Sequence, residues 1–282
     1  MQINGIVLLN KDRGISSNKT VNKVKYLLQA DKAGHLGTLD VLGEGLLPIT
    51  LGKGTKLFDY FLNKDKVYKT IFKFGETTDT LDLEGPVTKT NDVVVTMEMI
   101  NNILPKYIGK MNQLPPIYSA KKVKGHKAYD LARQGIEVDL KTKEIEIYSI
   151  KCLKQLNFNT FEFEIHCSSG TYIRSICRDL ANDLNTYGVM LSIIRTRCGM
   201  FSINNAYTLN DIEKNNFSIL PLESCFDFLI IDLDEEKTSK LLNGVKITYK
   251  IADGKYKVFN NNLFLGIAKV INNIMSFELR LI

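Results

Sequence analysis

Residues 34–56 read GHLGTLDVLGEGLLPITLGKGTK. His35, Gly37, Thr38 and Asp40 crowd into one glycine-rich loop ahead of the aliphatic run LLPITLG. Taken alone, an aspartate behind Gly-Thr is a turn former, because its side chain bonds the nearby backbone. The glycines do not build a phosphate loop. Leu47 stands where a P-loop needs its first glycine, and Gly54 stands where Ser or Thr must follow Lys53. GEGLLP and GKGTKL each lack the third glycine of a dinucleotide loop.

Outward from this loop, the apolar run in INGIVLLNK (3–11) predicts a buried strand. Ser16, Ser17 and Asn18 are capping residues for a helix through VNKVKYLLQA, with Val21, Val24, Tyr26, Leu27 and Leu28 as its partial apolar face. KVYKTIFKFGE (66–76) alternates apolar residues with lysines and predicts a half-solvated strand. TTDTLDLEGPV is acidic and turn-like, and TMEMINNILPKYIG reads as a helix whose regular part Pro105 ends. KEIEIYSIKCLKQL and FNTFEFEIHCSS predict a hairpin across an Asn-rich turn. In SGTYIRSICRDLANDLN, Gly170 and Thr171 mark a strand-to-helix junction that puts Tyr172 and Arg174 at a helix start. From about residue 226, short alternating segments punctuated by Gly244, Gly254 and Gly266 predict a small β-rich appendage that packs on its neighbour.

The 282 residues are 44% hydrophobic and 24% charged, the balance of a soluble globular protein. No apolar run approaches a membrane span, and the N-terminus lacks a signal-peptide pattern, so a cytoplasmic protein is expected. The five cysteines are scattered, odd in number and never C-x-x-C, and the three histidines lack ligand spacing. These features argue against a disulfide framework and against a metal site. The net charge of +6 is modest, but SAKKVKGHKAYDLARQG (119–135) concentrates Lys121, Lys122, Lys124, Lys127 and Arg133 against Asp130. Such a segment is either a solvated hairpin or a loop that grips a polyanion by displacing its counterions.

Read together, five blocks in order resemble the bacterial tRNA pseudouridine-55 synthase family, TruB: 34–56, 66–85, 113–135, 168–184 and RTRCGMF at 195–201. The resemblance covers about residues 3–205. It implies an α+β fold: a large mixed, mainly antiparallel sheet flanked by helices. A catalytic domain over 1–225 would be followed by a small β-rich, PUA-like RNA-binding domain over 226–282. It also implies isomerisation of one uridine in the tRNA T loop, without metal or cofactor. By the same resemblance, Asp40 is the catalytic aspartate, Tyr68 stacks on the target base, and Tyr172 and Arg174 complete the catalytic set. His35 wedges into the RNA, Gly37 and Thr38 belong to the substrate loop, and Ile193 lines the base pocket. Lys11 joins Lys121, Lys122 and Lys124 as RNA contacts, the last three within a mobile insertion at about 113–138. Asp82 matches an RNA-contacting acid of the family, with a turn-capping role as the alternative.

The chemistry asks for such groups. A stacked uridine must be flipped out at a cost of a few kcal/mol, and stacking on an aromatic returns about 1–3 kcal/mol. A carboxylate suits attack at C6 or C1′ or loss of the 2′ proton, and an adjacent guanidinium favours its ionised form. Either Tyr68 or Asp40 would take the C5 proton. This chain departs from the family pattern at Asp12-Arg13, where Pro is usual after Lys11, at Val41 and at Tyr187-Gly188-Val189. None of these removes a reacting group. The alternatives are a non-catalytic tRNA-binding or folding module, or a synthase for another RNA. No coiled-coil seam appears, and a monomer is expected.

Overall fold

A computed structural model describes residues 3–119 and 139–282, and between them residues 122–123, 126–128, 131, 134 and 136. Strand β1 (Gly5–Lys11) leads into helix α1 (Ser17–Leu27), which Ser16 caps by accepting from the Lys19 amide. Strands β2 (Ala33–His35) and β3 (Gly43–Leu51) enclose the glycine-rich loop. Helix α2 (Phe58–Leu62), strand β4 (Lys66–Phe74) and the small ladder of β5 (Glu76–Thr78) and β6 (Val87–Thr90) follow. Next come helix α3 (Met97–Ile103), β7 (Gly109–Gln113) and the short pair β8 (Lys122–Val123) and β9 (His126–Lys127). The hairpin β10 (Lys143–Asn157) and β11 (Thr160–Cys167) feeds helix α4 (Ile173–Asp183). Strands β12 (Gly188–Cys198) and β13 (Phe201–Ser202) and helix α5 (Leu209–Glu213) complete the larger body.

Its described strands form a nine-stranded sheet in the order β1-β3-β12-β4-β11-β10-β7, with β2 added to β3 and β13 to β12. Only the β3–β12 pairing is parallel, so the sheet is mixed and mainly antiparallel. One face carries α1, α3 and α4 over a core that includes Phe72, Phe161, Phe163, Ile176 and Leu180. The i+3 and i+4 spacing of Ile173, Ile176, Cys177 and Leu180 puts all four on the buried side of α4. Tyr26 does not join the apolar face of α1. It is 82% exposed, because it lies five residues past Val21 and the helix has by then turned it to solvent.

The C-terminal region holds β14 (Leu229–Asp232), β15 (Ile247–Thr248), β16 (Gly254–Asn260), β17 (Leu263–Ile271) and β18 (Ile274–Arg280), which form a five-stranded sheet in the order β14-β16-β17-β18-β15. It also contains helix α6 (Glu235–Leu242), which the alternating pattern did not suggest and which Asp234 caps through the Lys237 amide. Ile267 and Leu281 from this sheet share a buried cluster with Ile6, Leu46, Phe61 and Phe226, so it is packed on the larger body. No helix among the described residues is long and apolar enough to cross a membrane.

The parallel join between β3 and β12 is a close approach. Gly45 faces Arg195 at φ +94°, and a Cβ there would sit 2.5 Å from the Arg195 carbonyl oxygen. A side chain is excluded both by that backbone and by the left-handed φ. Gly45→Ala is expected to destabilise the fold by about 2 kcal/mol or more, read as a lower urea midpoint at unchanged slope.

Candidate active site

The loop between β2 and β3 is fastened from four sides. Leu36 and Leu39 are buried in the core below it. Ser17 Oγ donates to the Leu39 carbonyl at 2.8 Å and accepts from the Leu39 amide at 2.9 Å. The Gly43 amide closes a turn on the Asp40 carbonyl at 3.0 Å. Arg195, 1% exposed on β12, donates to the carbonyls of Leu46 (2.8 Å), Gly37 (3.0 Å) and Thr38 (3.5 Å). Gly37 has φ +126° and lies against the Arg195 guanidinium, which fits glycine alone. Asp40 is thereby held with its carboxylate 49% exposed at the edge of a cleft of about 510 Å³.

Arg174 faces it from the first turn of α4. Its buried guanidinium meets Asp40 Oδ2 at 2.9 Å and Asp82 Oδ2 at 3.2 Å, and donates to the Thr80 carbonyl at 2.9 Å. Asp82 is itself buried, accepting from Thr80 Oγ1 at 2.6 Å and the Glu84 amide at 3.0 Å. This decides between the two readings of Asp82. It braces the 80–84 turn and holds Arg174, and burial leaves it little surface for RNA.

Tyr68, on β4, and Tyr172, at the cap of α4, line the same cleft with Gly37, Thr38, Met190 and Ile193. Gln113 fixes the Tyr172 backbone, accepting from its amide at 2.8 Å and donating to its carbonyl at 3.1 Å. Burial pushes both phenols above their ordinary pKa, and at Tyr68 the nearby Arg195 guanidinium pulls the other way without overcoming it.

Sequence reading therefore brought Asp40, Tyr68, Tyr172, Arg174, Gly37, Thr38 and Ile193 to one place. Lys11 lies elsewhere. It is 1% exposed, and its ammonium donates to the carbonyls of Asp12 (2.9 Å), Ile15 (2.6 Å) and Val41 (3.5 Å). It ties the 12–15 turn to the glycine-rich loop, where the missing proline would have stiffened the chain, and its burial leaves it no surface for an RNA contact. His35 lines a separate cleft with Asn18, Asn22, Thr50, Thr55 and Phe58. Its buried Nδ1 has no hydrogen-bond partner among the described residues, and burial lowers its pKa. Lys121 and Lys124 fall outside the described residues, as does the side chain of Lys122.

Three groups escaped the sequence reading: Arg195, Lys66 and Lys143, all of which line the cleft. For Arg195 and Lys66 nothing in the pattern separates a buried cation from a solvated one. Among the described residues, no group of three or more His, Cys, Asp or Glu side chains is placed to hold a metal ion.

Residues 25–173 match the model of the TruB family pseudouridylate synthase, N-terminal domain. This chain belongs to the TruB family. A tRNA pseudouridine synthase B of Clostridium tetani is 39% identical over 277 residues, covering 95% of this chain and 96% of that relative. One of Caldanaerobacter subterraneus subsp. tengcongensis is 35% identical over 271 residues, covering 95% of both chains. Among solved structures, an H/ACA RNP bound to a substrate RNA containing 2′-deoxyuridine superposes with TM-score 0.71 at 18% identity, over 99% of this chain and 85% of that one. A Cbf5-Nop10-Gar1 complex superposes with TM-score 0.69 at 20% identity, over 95% and 78%. At that identity the two structures speak for the fold. As a TruB family member the chain is a pseudouridine synthase, an isomerase, built on the sheet described above.

Arg195→Met would leave three carbonyls of the glycine-rich loop and its foot without their donor. Each orphaned buried acceptor costs about 1–3 kcal/mol, so this variant is expected to lose at least about 2 kcal/mol in urea unfolding.

Proposed function

We propose that this chain converts uridine-55 in the T loop of tRNA to pseudouridine, with Asp40 as the reacting carboxylate. The observation that carries the reading is the Asp40–Arg174 pair, a half-exposed carboxylate on a buried guanidinium at 2.9 Å in a cleft floored by Tyr68. A binding module needs no such pair, so the geometry favours an enzyme over a tRNA-folding module. The relatives that share 35–39% of its residues along nearly the whole chain are named for tRNA, which favours that substrate over another RNA.

The extruded uracil stacks on Tyr68 against Ile193 and Met190, which exclude water from one side. Arg174 keeps Asp40 ionised and aimed, whether its oxygen adds to C1′ or C6 or takes the 2′ proton. Asp82 fixes Arg174 from behind. The Tyr68 phenol, raised by burial, stays neutral through pH 9, and the C5 proton passes to Asp40. The T arm lies over the cleft, gripped by the basic 113–138 insertion, and His35 enters the space vacated by the base.

The catalytic domain spans 1–225, and 226–282 forms a further RNA-binding surface. The chain works as a monomer, with no metal or cofactor. Its cysteines carry no disulfide among the described residues, which suits a reducing cytoplasm.

Two outcomes are expected. With tRNA transcript tritiated at uridine C5, the wild type releases tritium, and Asp40→Asn binds tRNA but releases none. Release by Asp40→Asn at the wild-type rate would refute the assignment. In single turnover the wild-type release rate is flat from pH 7 to pH 9. A Tyr68 phenolate acting as base would instead raise it about tenfold per pH unit, because its raised pKa leaves a small phenolate fraction that grows with pH.

A further inference from the structure

Ser119 ends the arm QLPPIYS (113–119), which leaves β7 and is bound at its root to the start of α4. Gln113 holds the Tyr172 backbone through both its amide and its carbonyl. The Leu114 carbonyl accepts from Ser175 Oγ at 2.9 Å and from Arg178 at 2.9 Å. Pro115 and Pro116 fix two further φ angles, and the Ser119 amide donates to the Ile117 carbonyl at 2.9 Å. Ser119 is delivered in this way into the wall of the cleft that Asp40, Tyr68 and Tyr172 line, and it is 3% exposed. Its hydroxyl makes no hydrogen bond of full geometry among the described residues, yet it lies close enough to the Tyr172 phenol to draw down a pKa that burial raises. Asp40 acts on the same phenol in the opposite sense. The two hydroxyls and the carboxylate therefore share one end of the cleft.

Two facing hydroxyls carry two hydrogens, and a bond from either to the other uses one. Whichever way the pair is arranged, one O–H is left to donate, with oxygen lone pairs left to accept. A buried donor left unspent is costly, unless what enters the cleft meets it. The reaction proposed above says which part of the nucleotide arrives there. The base lies on Tyr68, against Met190 and Ile193. Asp40 acts at C1′, at the 2′ hydrogen or at C6, all of them on or beside the sugar. The ribose therefore lies between Asp40 and the two hydroxyls. Within an RNA chain its 3′ and 5′ oxygens are closed in phosphodiesters, and the 2′-hydroxyl is its one free donor and acceptor. That group matches a pair with one hydrogen to give and lone pairs to accept.

We propose that Ser119, together with Tyr172, binds the 2′-hydroxyl of the target nucleotide, so that the site tells a ribonucleotide from a deoxyribonucleotide. This rests on the isomerase reading, which places the ribose at Asp40. The contact also holds the sugar in place while the N1–C1′ bond is open and the base turns.

The test is a comparison of affinities in the Asp40→Asn background, where bound RNA is not consumed. Two otherwise identical tRNAs carry uridine or 2′-deoxyuridine at the target position. With Ser119 intact, the deoxy tRNA is expected to bind about tenfold more weakly, because it leaves a hydrogen-bonding site unmet. In Ser119→Ala the gap shrinks to about threefold or less, because affinity is lost chiefly for the uridine tRNA. A serine that only shapes the arm would weaken both complexes alike and leave the gap unchanged.

A gap below about threefold with Ser119 intact overturns the proposal. So does a gap in Ser119→Ala as wide as in its parent. If Ser119→Ala does not fold, Ser119→Cys, whose thiol is a weak donor, decides on the same contrast, a narrowed gap supporting the proposal and an unchanged one overturning it. Tritium release from C5-labelled tRNA is followed in parallel with Asp40 intact. No release overturns the isomerase reading and this assignment with it, whereas release together with an unchanged gap overturns this assignment alone.

Discussion

A guanidinium taken out of water must have its hydrogens met by acceptors, and Arg174 meets this demand in part with the carboxylate proposed to react. Asp82 and the Thr80 carbonyl hold one side of the group, and Asp40 takes the other. The arrangement is asymmetric in exposure. Asp82 and Arg174 are buried, whereas Asp40 reaches into the cleft. Truncating one partner of a buried pair leaves the other uncompensated, so the 80–84 turn, the start of α4 and the glycine-rich loop are bound to one another energetically. Three distant segments share one ion cluster, and the cleft lies where they converge.

The rest of the fold serves that convergence. Arg195 clamps the loop from β12, Ser17 clamps it from α1, and Lys11 ties the turn behind it through three carbonyls. Most of these are side-chain bonds to backbone carbonyls, which fix a loop without adding a ladder strand. The close join of β3 to β12 at Gly45 brings Arg195 within reach of Gly37. A loop that carries a reacting group is usually the soft part of a protein. Here the backbone is bonded at several points, while Thr38, Asp40 and Val41 are exposed.

Strands and helices with a plain period were legible in the sequence: β1, β4, the β10–β11 hairpin and α4, whose apolar stripe needs no tertiary information. The strand β12 was not. Its segment gave no strand signal, because Ser192, Arg195, Thr196 and Arg197 break the apolar alternation where the arginine is spent on buried carbonyls. Helix α6 was hidden by the alternating segments around it. At the site, the resemblance of ordered blocks pointed to Asp40, Tyr68, Tyr172 and Arg174, which the structure brings to one cleft. Single residues would have been read as a turn former, strand and helix-end aromatics, and a surface charge. Lys11 was misjudged, and Asp82 was left open between two readings, for one reason, that sequence shows charge and not burial. Both are fully engaged inside the protein, where RNA cannot reach them.

The dependence of Asp40 on Arg174, and of Arg174 on Asp82, is tested most directly by a double-mutant cycle. Single-turnover isomerisation rates of the wild type, Asp82→Asn, Arg174→Lys and the double variant give the coupling energy. If Asp82 acts through Arg174, the double variant is scarcely slower than Arg174→Lys alone, and the coupling exceeds about 1 kcal/mol. Losses that simply add would contradict the account, because Asp82 and Arg174 would then act independently of one another.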